Sequence, residues 1–263
     1  MIARSRTAGH DRPPAPATEP RIAVWSGPRN ISTALLRSWG SRPDTYVCDE
    51  PLYAHYLQAT GIAHPGRDEI IAAHEPDWRA VVRWLTGPIP EGRSIFYQKH
   101  MAHHLLPEID RGWIGALRNA FLIRDPAEML ASLAQVLPQP RLEDTGLPQQ
   151  CELFEAIARG TGGAVPAAPP VIDARDVLQN PEVMLRRLCA ALGVPWSDAM
   201  LAWEPGPRPT DGVWARHWYG GVLASTRFQP YRPKREPLPA RLEPLLAVCR
   251  PYYERLYTHR LTP

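Results

Sequence analysis

Two short stretches of the chain carry residues suited to holding anions. The first is Gly27-Pro28-Arg29-Asn30-Ile31-Ser32-Thr33, in which a cation and two hydroxyls stand where a helix is due to begin. Backbone N–H groups in a first helical turn lack partners within the helix, and the helix dipole adds positive potential, so a phosphate is well accommodated there. Ser32 and Thr33 can donate from their hydroxyls, and Arg29 adds a planar fork of donors. The second stretch is Phe121-Leu122-Ile123-Arg124-Asp125-Pro126, with Ser132 on the segment that follows. An arginine at a strand end and a serine on the next helix can grip another phosphate from two directions. Taken singly, each stretch also fits a bland role: a hydroxyl-rich helix start with a solvated arginine, or a strand-end ion pair. The kinase-type loop GxxxxGK[ST] is missing, because no Gly-Lys precedes Ser32, and this counts against ordinary ATP or GTP chemistry.

The elements that must position these residues alternate between strand and helix. Ile22 to Trp25 form a short apolar run that stops at Ser26-Gly27-Pro28, a buried strand closed by a turn signal. Ile31, Leu35, Leu36 and Trp39 then recur at helical spacing. Further strands are expected around Tyr46 to Cys48, Ile95 to Gln98, Phe121 to Ile123 and Val171 to Ile172, with helical patterns between them. Such alternation predicts an α/β fold with a mostly parallel central sheet flanked by helices. A late helix is expected with Asn180 as N-cap, Pro181 at its first position, an apolar stripe of Met184, Leu185, Leu188 and Leu192, and Gly193 as terminator. The first twenty residues read as a disordered tail, an organelle-targeting segment being the alternative, and residues 21–263 as one domain.

A net charge of +3 is too small for a protein that coats nucleic acid, and no apolar run is long enough to suggest a membrane span. Cys48, Cys151, Cys189 and Cys249 lie far apart without a CxxC pair, so neither a zinc site nor a disulfide framework is indicated, and reduced thiols in a cytoplasm are expected.

Taken together, the two anion stretches resemble the PAPS-dependent sulfotransferase family, and more specifically its bacterial sulfotransferase-like group. The resemblance runs most clearly from Arg21 to Leu133, with the segment from Val171 to Leu192 looking like the family's final strand and helix. It implies a P-loop-like three-layer sandwich that binds 3'-phosphoadenosine 5'-phosphosulfate (PAPS) and releases 3',5'-diphosphoadenosine. Arg29, Ser32 and Thr33, with Pro28, Asn30 and Ile31 in the same loop, would hold the 5'-phosphosulfate, and Arg124 and Ser132 the 3'-phosphate at the opposite end. Two departures stand out. Asn30-Ile31 replaces a glycine common in the family's loop, and the C-terminal Arg-Lys-Gly element is not evident, leaving Arg232, Lys234 and Arg235 as substitutes.

Sulfuryl transfer needs a deprotonated acceptor, an in-line approach to sulfur and stabilisation of the departing phosphate oxygen, with no metal required. Arg29 would stabilise the leaving oxygen, and Lys99, just after the strand ending at Gln98, would approach the sulfuryl oxygens. Glu50, at the end of the second strand, is the first choice of base, with pairing to an arginine as its structural alternative. His100 is its rival because it follows a strand-end lysine. His103 and His104 read as packing or capping residues. The stretch from Trp203 to Tyr231 is expected to form a lid, with His217 and Trp218 as acceptor contacts and Trp214, Tyr219 and Phe228 either in pocket or core. A small-molecule acceptor and PAPS are thus the expected partners. An ATP-using phosphotransferase and a non-catalytic nucleotide-binding protein of the same fold remain the alternatives.

Overall fold

The structure, a computed structural model, describes residues 19–160, 168–233 and 237–263. The expected tail up to residue 18, the start of the Pro-rich stretch at 165–170, and the cations Lys234 and Arg235 lie outside the described residues. Five strands form: β1 (Arg21–Ser26), β2 (Thr45–Asp49), β3 (Ile95–Met101), β4 (Arg118–Ile123) and β5 (Val171–Asp173). They make one sheet in the order β2-β3-β1-β4-β5 with every pairing parallel, as the alternation predicted. The helices are α1 (Ser32–Gly40), α2 (Tyr53–Thr60), α3 (Arg67–Ala73), α4 (Trp78–Thr86), α5 (Pro126–Leu133), α6 (Leu147–Ala158), α7 (Ala174–Gln179), α8 (Pro181–Ala191), α9 (Ala215–Trp218), α10 (Gly220–Leu223) and α11 (Glu243–Tyr257).

A parallel sheet joined by helical crossovers is covered on both faces, and period-two alternation divides each strand between two cores. Ile22 and Val24 of β1 pack with Leu35, Leu36 and Trp39 of α1 and with Met184 and Leu188 of α8. Ala23 and Trp25 face the other way, toward Leu85 of α4, Leu130 of α5 and Leu256 of α11. Burial of this kind contributes roughly 1.5–3 kcal/mol per large apolar side chain. The late helix stands as expected, with Pro181 at its first position and Gly193 just beyond its end at φ 63°, although Asn180 makes no side-chain cap.

β3 runs further than its apolar residues suggested and carries Lys99, His100 and Met101 within the strand. Lys99 pairs with Asp49 of β2 and Val24 of β1, while His100 pairs with Trp25. Since neighbouring side chains on a strand point to opposite faces, Lys99 and His100 cannot serve the same cavity. The chain leaves adjacent β1 and β4 toward opposite faces of the sheet, α1 packing on one and α5 on the other, so a crevice opens at the carboxyl ends of the strands.

One buried ion pair fixes the segment that closes this crevice. Arg37 of α1 donates from both terminal nitrogens to Asp211, at 2.5 and 2.8 Å, with side chains 1% and 5% exposed. This bidentate pair holds the loop that leads to Trp214 and Tyr219 against the helix carrying Ser32 and Thr33. Removing one partner leaves an unpaired buried charge, so Asp211→Ala is expected to destabilise the chain by about 3–5 kcal/mol. Urea unfolding at neutral pH measures this, and a loss well under 1 kcal/mol would show the pair to be dispensable.

Candidate functional site

A cavity of about 470 Å³ opens at the carboxyl end of the sheet, within the size range of small-molecule sites. One side of it is the loop from Pro28 to Ala34. Arg29 and Ile31 both take left-handed backbone conformations at φ 61°, the geometry that a glycine would enter without strain. A β-branched residue held there stores on the order of 1–3 kcal/mol, and such strain clusters at ligand-binding turns. The loop is also crowded from behind: a Cβ added at Gly27 would stand 2.3 Å from the Thr145 carbonyl oxygen. Ile31 supplies no side-chain cap, so the opening turn of α1 keeps unpaired N–H groups beside the cavity.

Arg29, Arg124 and Ser132 all line this cavity, and Arg29 touches both of the others. Arg29 Nε donates to Ser132 Oγ at 3.0 Å, and Arg124 Nη1 donates to the Arg29 carbonyl oxygen at 2.8 Å. The two donor groups expected at opposite ends of a nucleotide therefore form one continuous lip, because the Arg29 side chain reaches across to α5. Arg124 is also held by Glu128 at 3.1 Å from two nitrogens. Glu128 in turn accepts from Tyr231 OH at 2.5 Å. Among the described residues Arg29 has no carboxylate partner, and burial together with repulsion from Arg124 lowers its pKa. Two neighbouring guanidiniums with one carboxylate between them, beside a helix start, make an anion-attracting lip.

Across the cavity the buried Lys99 ammonium donates to Asp49 Oδ1 at 2.7 Å, Glu50 Oε1 at 2.6 Å and Tyr219 OH at 2.9 Å. Tyr219 donates to Asp49 Oδ2 at 2.5 Å and accepts from Trp214 Nε1 at 3.2 Å. Burial alone would lower the Lys99 pKa, but Asp49 and Glu50 outweigh it and hold the amine well above its ordinary value. Glu50 is pushed up by burial and by Asp49 against the downward pull of Lys99. It sits at φ 45°, anchored by its N–H to the Lys99 carbonyl at 2.9 Å. A carboxylate with a raised pKa and one oxygen free of the lysine is placed to take a proton.

The remaining expectations separate. Trp218 lines the cavity, but His217 is exposed on the outside beside Gly66, because α9 turns it away. Arg232 is exposed and does not line the cavity, whereas Arg227 does. Tyr219 reaches the cavity, while Phe228 packs against Trp203 at 5.1 Å in the core. His103 and His104, read as packing or capping residues, pack against Tyr56 and each other and also line the cavity with Tyr53, Tyr56 and His64. Asp49 had a signal that went unread, adjacency to Glu50 on a strand beside Lys99; the ring residues of α2 had none, since only tertiary packing brings them here.

His100 does not reach the cavity. Strand alternation turns it under the sheet, where it stacks on Trp25 at 4.3 Å and bonds Gln98 Oε1 at 3.2 Å. Burial lowers its pKa from 6.5 to about 3, so it is a neutral core residue at working pH. A histidine whose folded value lies below its unfolded one contributes stability that is complete above the unfolded value and lost as pH falls toward the folded one. His100 alone should therefore cost about 2 kcal/mol at pH 5 relative to pH 7.5. Urea titrations of His100→Gln are expected to show a correspondingly smaller loss between these two pH values; an undiminished loss would mean His100 is already charged in the folded chain.

The chain is 36% identical over 244 residues to branched-chain-amino-acid aminotransferase-like protein 1 of Arabidopsis thaliana, covering 90% of this chain and 42% of that protein. Protein 2 of the same name is 33% identical over 239 residues, covering 90% and 41%. The chain thus spans about two fifths of the length of these curated relatives. A sulfotransferase structure from Alicyclobacillus acidocaldarius shares the fold at a TM-score of 0.51 and 15% identity, over 93% of this chain and 98% of that one. A family model described as a sulfotransferase domain matches residues 20–260, and the chain belongs to that family.

Proposed function

We propose that residues 21–263 form one sulfotransferase-like domain that moves a sulfuryl group from PAPS to a hydroxyl or amine of a small acceptor. The observation that carries this reading is the meeting of an uncapped helix start, Arg29, Arg124 and Ser132 with the Lys99–Glu50 pair across one cavity. These residues suit a doubly phosphorylated nucleotide: the lip offers guanidinium, hydroxyl and backbone donors, and Arg29 lacks a carboxylate of its own. PAPS supplies the sulfuryl group and leaves as 3',5'-diphosphoadenosine.

Each residue then has a role set by its surroundings. Ser32, Thr33 and the first-turn N–H groups would hold the phosphosulfate end, and Arg124 with Ser132 the 3'-phosphate. Arg29 bridges the two and stabilises charge that gathers on the leaving oxygen. Glu50 receives the acceptor proton, helped by a pKa that burial has raised. Lys99 keeps Glu50 oriented and adds positive charge near the reacting sulfur, while Asp49 and Tyr219 hold Lys99 in place. The four buried, unpaired cysteines support a reducing, cytoplasmic setting.

Calorimetry is expected to show 3',5'-diphosphoadenosine binding far more tightly than adenosine 5'-phosphate, without added magnesium. Arg124→Ala should weaken the diphosphate about 10- to 100-fold and leave the monophosphate nearly unchanged. Equal affinities for the two nucleotides would remove the 3'-phosphate assignment. Glu50→Gln should lower kcat by about 10²–10⁴ while nucleotide affinity is retained; unchanged turnover on a proven acceptor would exclude Glu50 as the base.

A further inference from the structure

The cavity has a second half whose chemistry differs from the nucleotide lip. Beyond Glu50 its wall is built of rings, with Tyr53, Tyr56, His64, His103, His104 and Trp218 among its lining residues. The rings form a connected set. His104 stacks on Tyr53 at 4.6 Å and on Tyr56 at 4.7 Å, and Tyr53 OH hydrogen-bonds His64 Nδ1 at 2.8 Å. Burial lowers the pKa of all three histidines, to about 3 for His103, so they are neutral. Lys99 is already matched by Asp49 and Glu50. Among the described residues, no free cation lines this half.

It does hold a carboxylate. Asp144 lines the cavity with its side chain only 12% exposed; burial raises the Tyr56 pKa, with Asp144 adding to the rise and Arg141 opposing it, and Asp144 also opposes the lowering that burial causes at His64. Among the described residues the Asp144 side chain accepts one hydrogen bond, from the Arg141 backbone N–H at 2.8 Å, and the cation paired with it is the solvent-exposed Arg141 side chain at 4.0 Å. A carboxylate this buried and this weakly paired, among electron-rich ring faces, favours a positive charge from outside. A second unmet group lies nearer the reaction centre. His104 Nδ1 is buried without a partner, 4.0 Å from Glu50 Oε2. That spacing lets a single oxygen make hydrogen bonds of about 2.8 Å to both.

We infer that the acceptor is a ring-bearing amine carrying a hydroxyl, its ammonium at Asp144 among the rings and its hydroxyl between Glu50 Oε2 and His104 Nδ1. The inference rests on the sulfotransferase reading. In the transfer the hydroxyl proton passes to Glu50 and a new O–S bond forms. The S–O bond to the nucleotide phosphate breaks, and 3',5'-diphosphoadenosine departs with the electron pair. Among the described residues an anionic acceptor meets two carboxylates there, with Lys99 already engaged by Asp49 and Glu50 and Arg141 exposed to solvent, so Asp144 is a specificity-determining residue rather than a member of the reacting set.

Tyramine, 4-ethylphenol and 4-hydroxyphenylacetate test this, sharing a phenol and differing in charge at the far end. With PAPS as donor, kcat/KM is expected to fall in that order. Asp144→Asn should lower the tyramine value about tenfold or more and leave 4-ethylphenol within about twofold. Asp144→Ser serves if the Asn variant melts early. Equal values for tyramine and 4-ethylphenol in the parent, or an equal loss for both in the variant, would overturn the cation site. Binding measured by calorimetry without donor separates this inference from the one beneath it. Nucleotide bound with none of the three phenols bound removes the acceptor class and leaves the donor reading standing. Asp144-dependent tyramine binding without any nucleotide affinity supports the cation site and removes the donor reading.

Discussion

A lysine ammonium buried at the end of a strand dictates much of what surrounds it. Lys99 is out of water, and an unpaired charge there would be too costly to keep. Parallel pairing of β2 with β3 brings Asp49 alongside, the turn after β2 adds Glu50, and Tyr219 arrives from a segment more than a hundred residues away. Burial, with Asp49 adding to it, raises Glu50 against the pull of Lys99, while the two carboxylates outweigh burial at Lys99 and keep it protonated. The same network fixes the wall that carries Trp218 and Tyr219. The raised carboxylate and the closure of the cavity are therefore one electrostatic arrangement.

Opposite it, the loop after β1 is shaped by backbone strain rather than by charge pairing. Two left-handed residues without glycine, Arg29 and Ile31, bend the chain so that α1 opens toward the cavity. Packing over-determines that shape, with the Thr145 carbonyl pressed against Gly27 and Gln150 Nε2 donating to the Trp25 and Leu122 carbonyls at 3.0 and 3.1 Å. Thr145 adjoins Asp144, so the contact that supports the loop after β1 also sets one wall of the ring-lined half of the cavity. The two halves share a framework although their charges are opposite.

Much of the fold was legible because its signals are local. Apolar runs of two to four residues marked all five strands, and Pro181 with Gly193 bounded α8 through their own backbone preferences. The lip residues Arg29, Ser32, Thr33, Arg124 and Ser132 were legible for the same reason, since the first three flank the start of α1, Arg124 follows β4 and Ser132 lies on the helix after it. What misled was the end of β3: polar residues hid its continuation, and with it the alternation that sends Lys99 to the cavity and His100 into the core.

The sequence by itself determined the strand and helix order, the parallel sheet and the anion-holding stretches, because propensity, periodicity and turn chemistry act between near neighbours in the chain. Tertiary structure alone decided that Arg29 touches Ser132, that Tyr219 completes the Lys99 network, and that three histidines and two tyrosines form a neutral wall facing Asp144. These depend on distance and desolvation between residues far apart in sequence, and neither quantity exists until the core has closed.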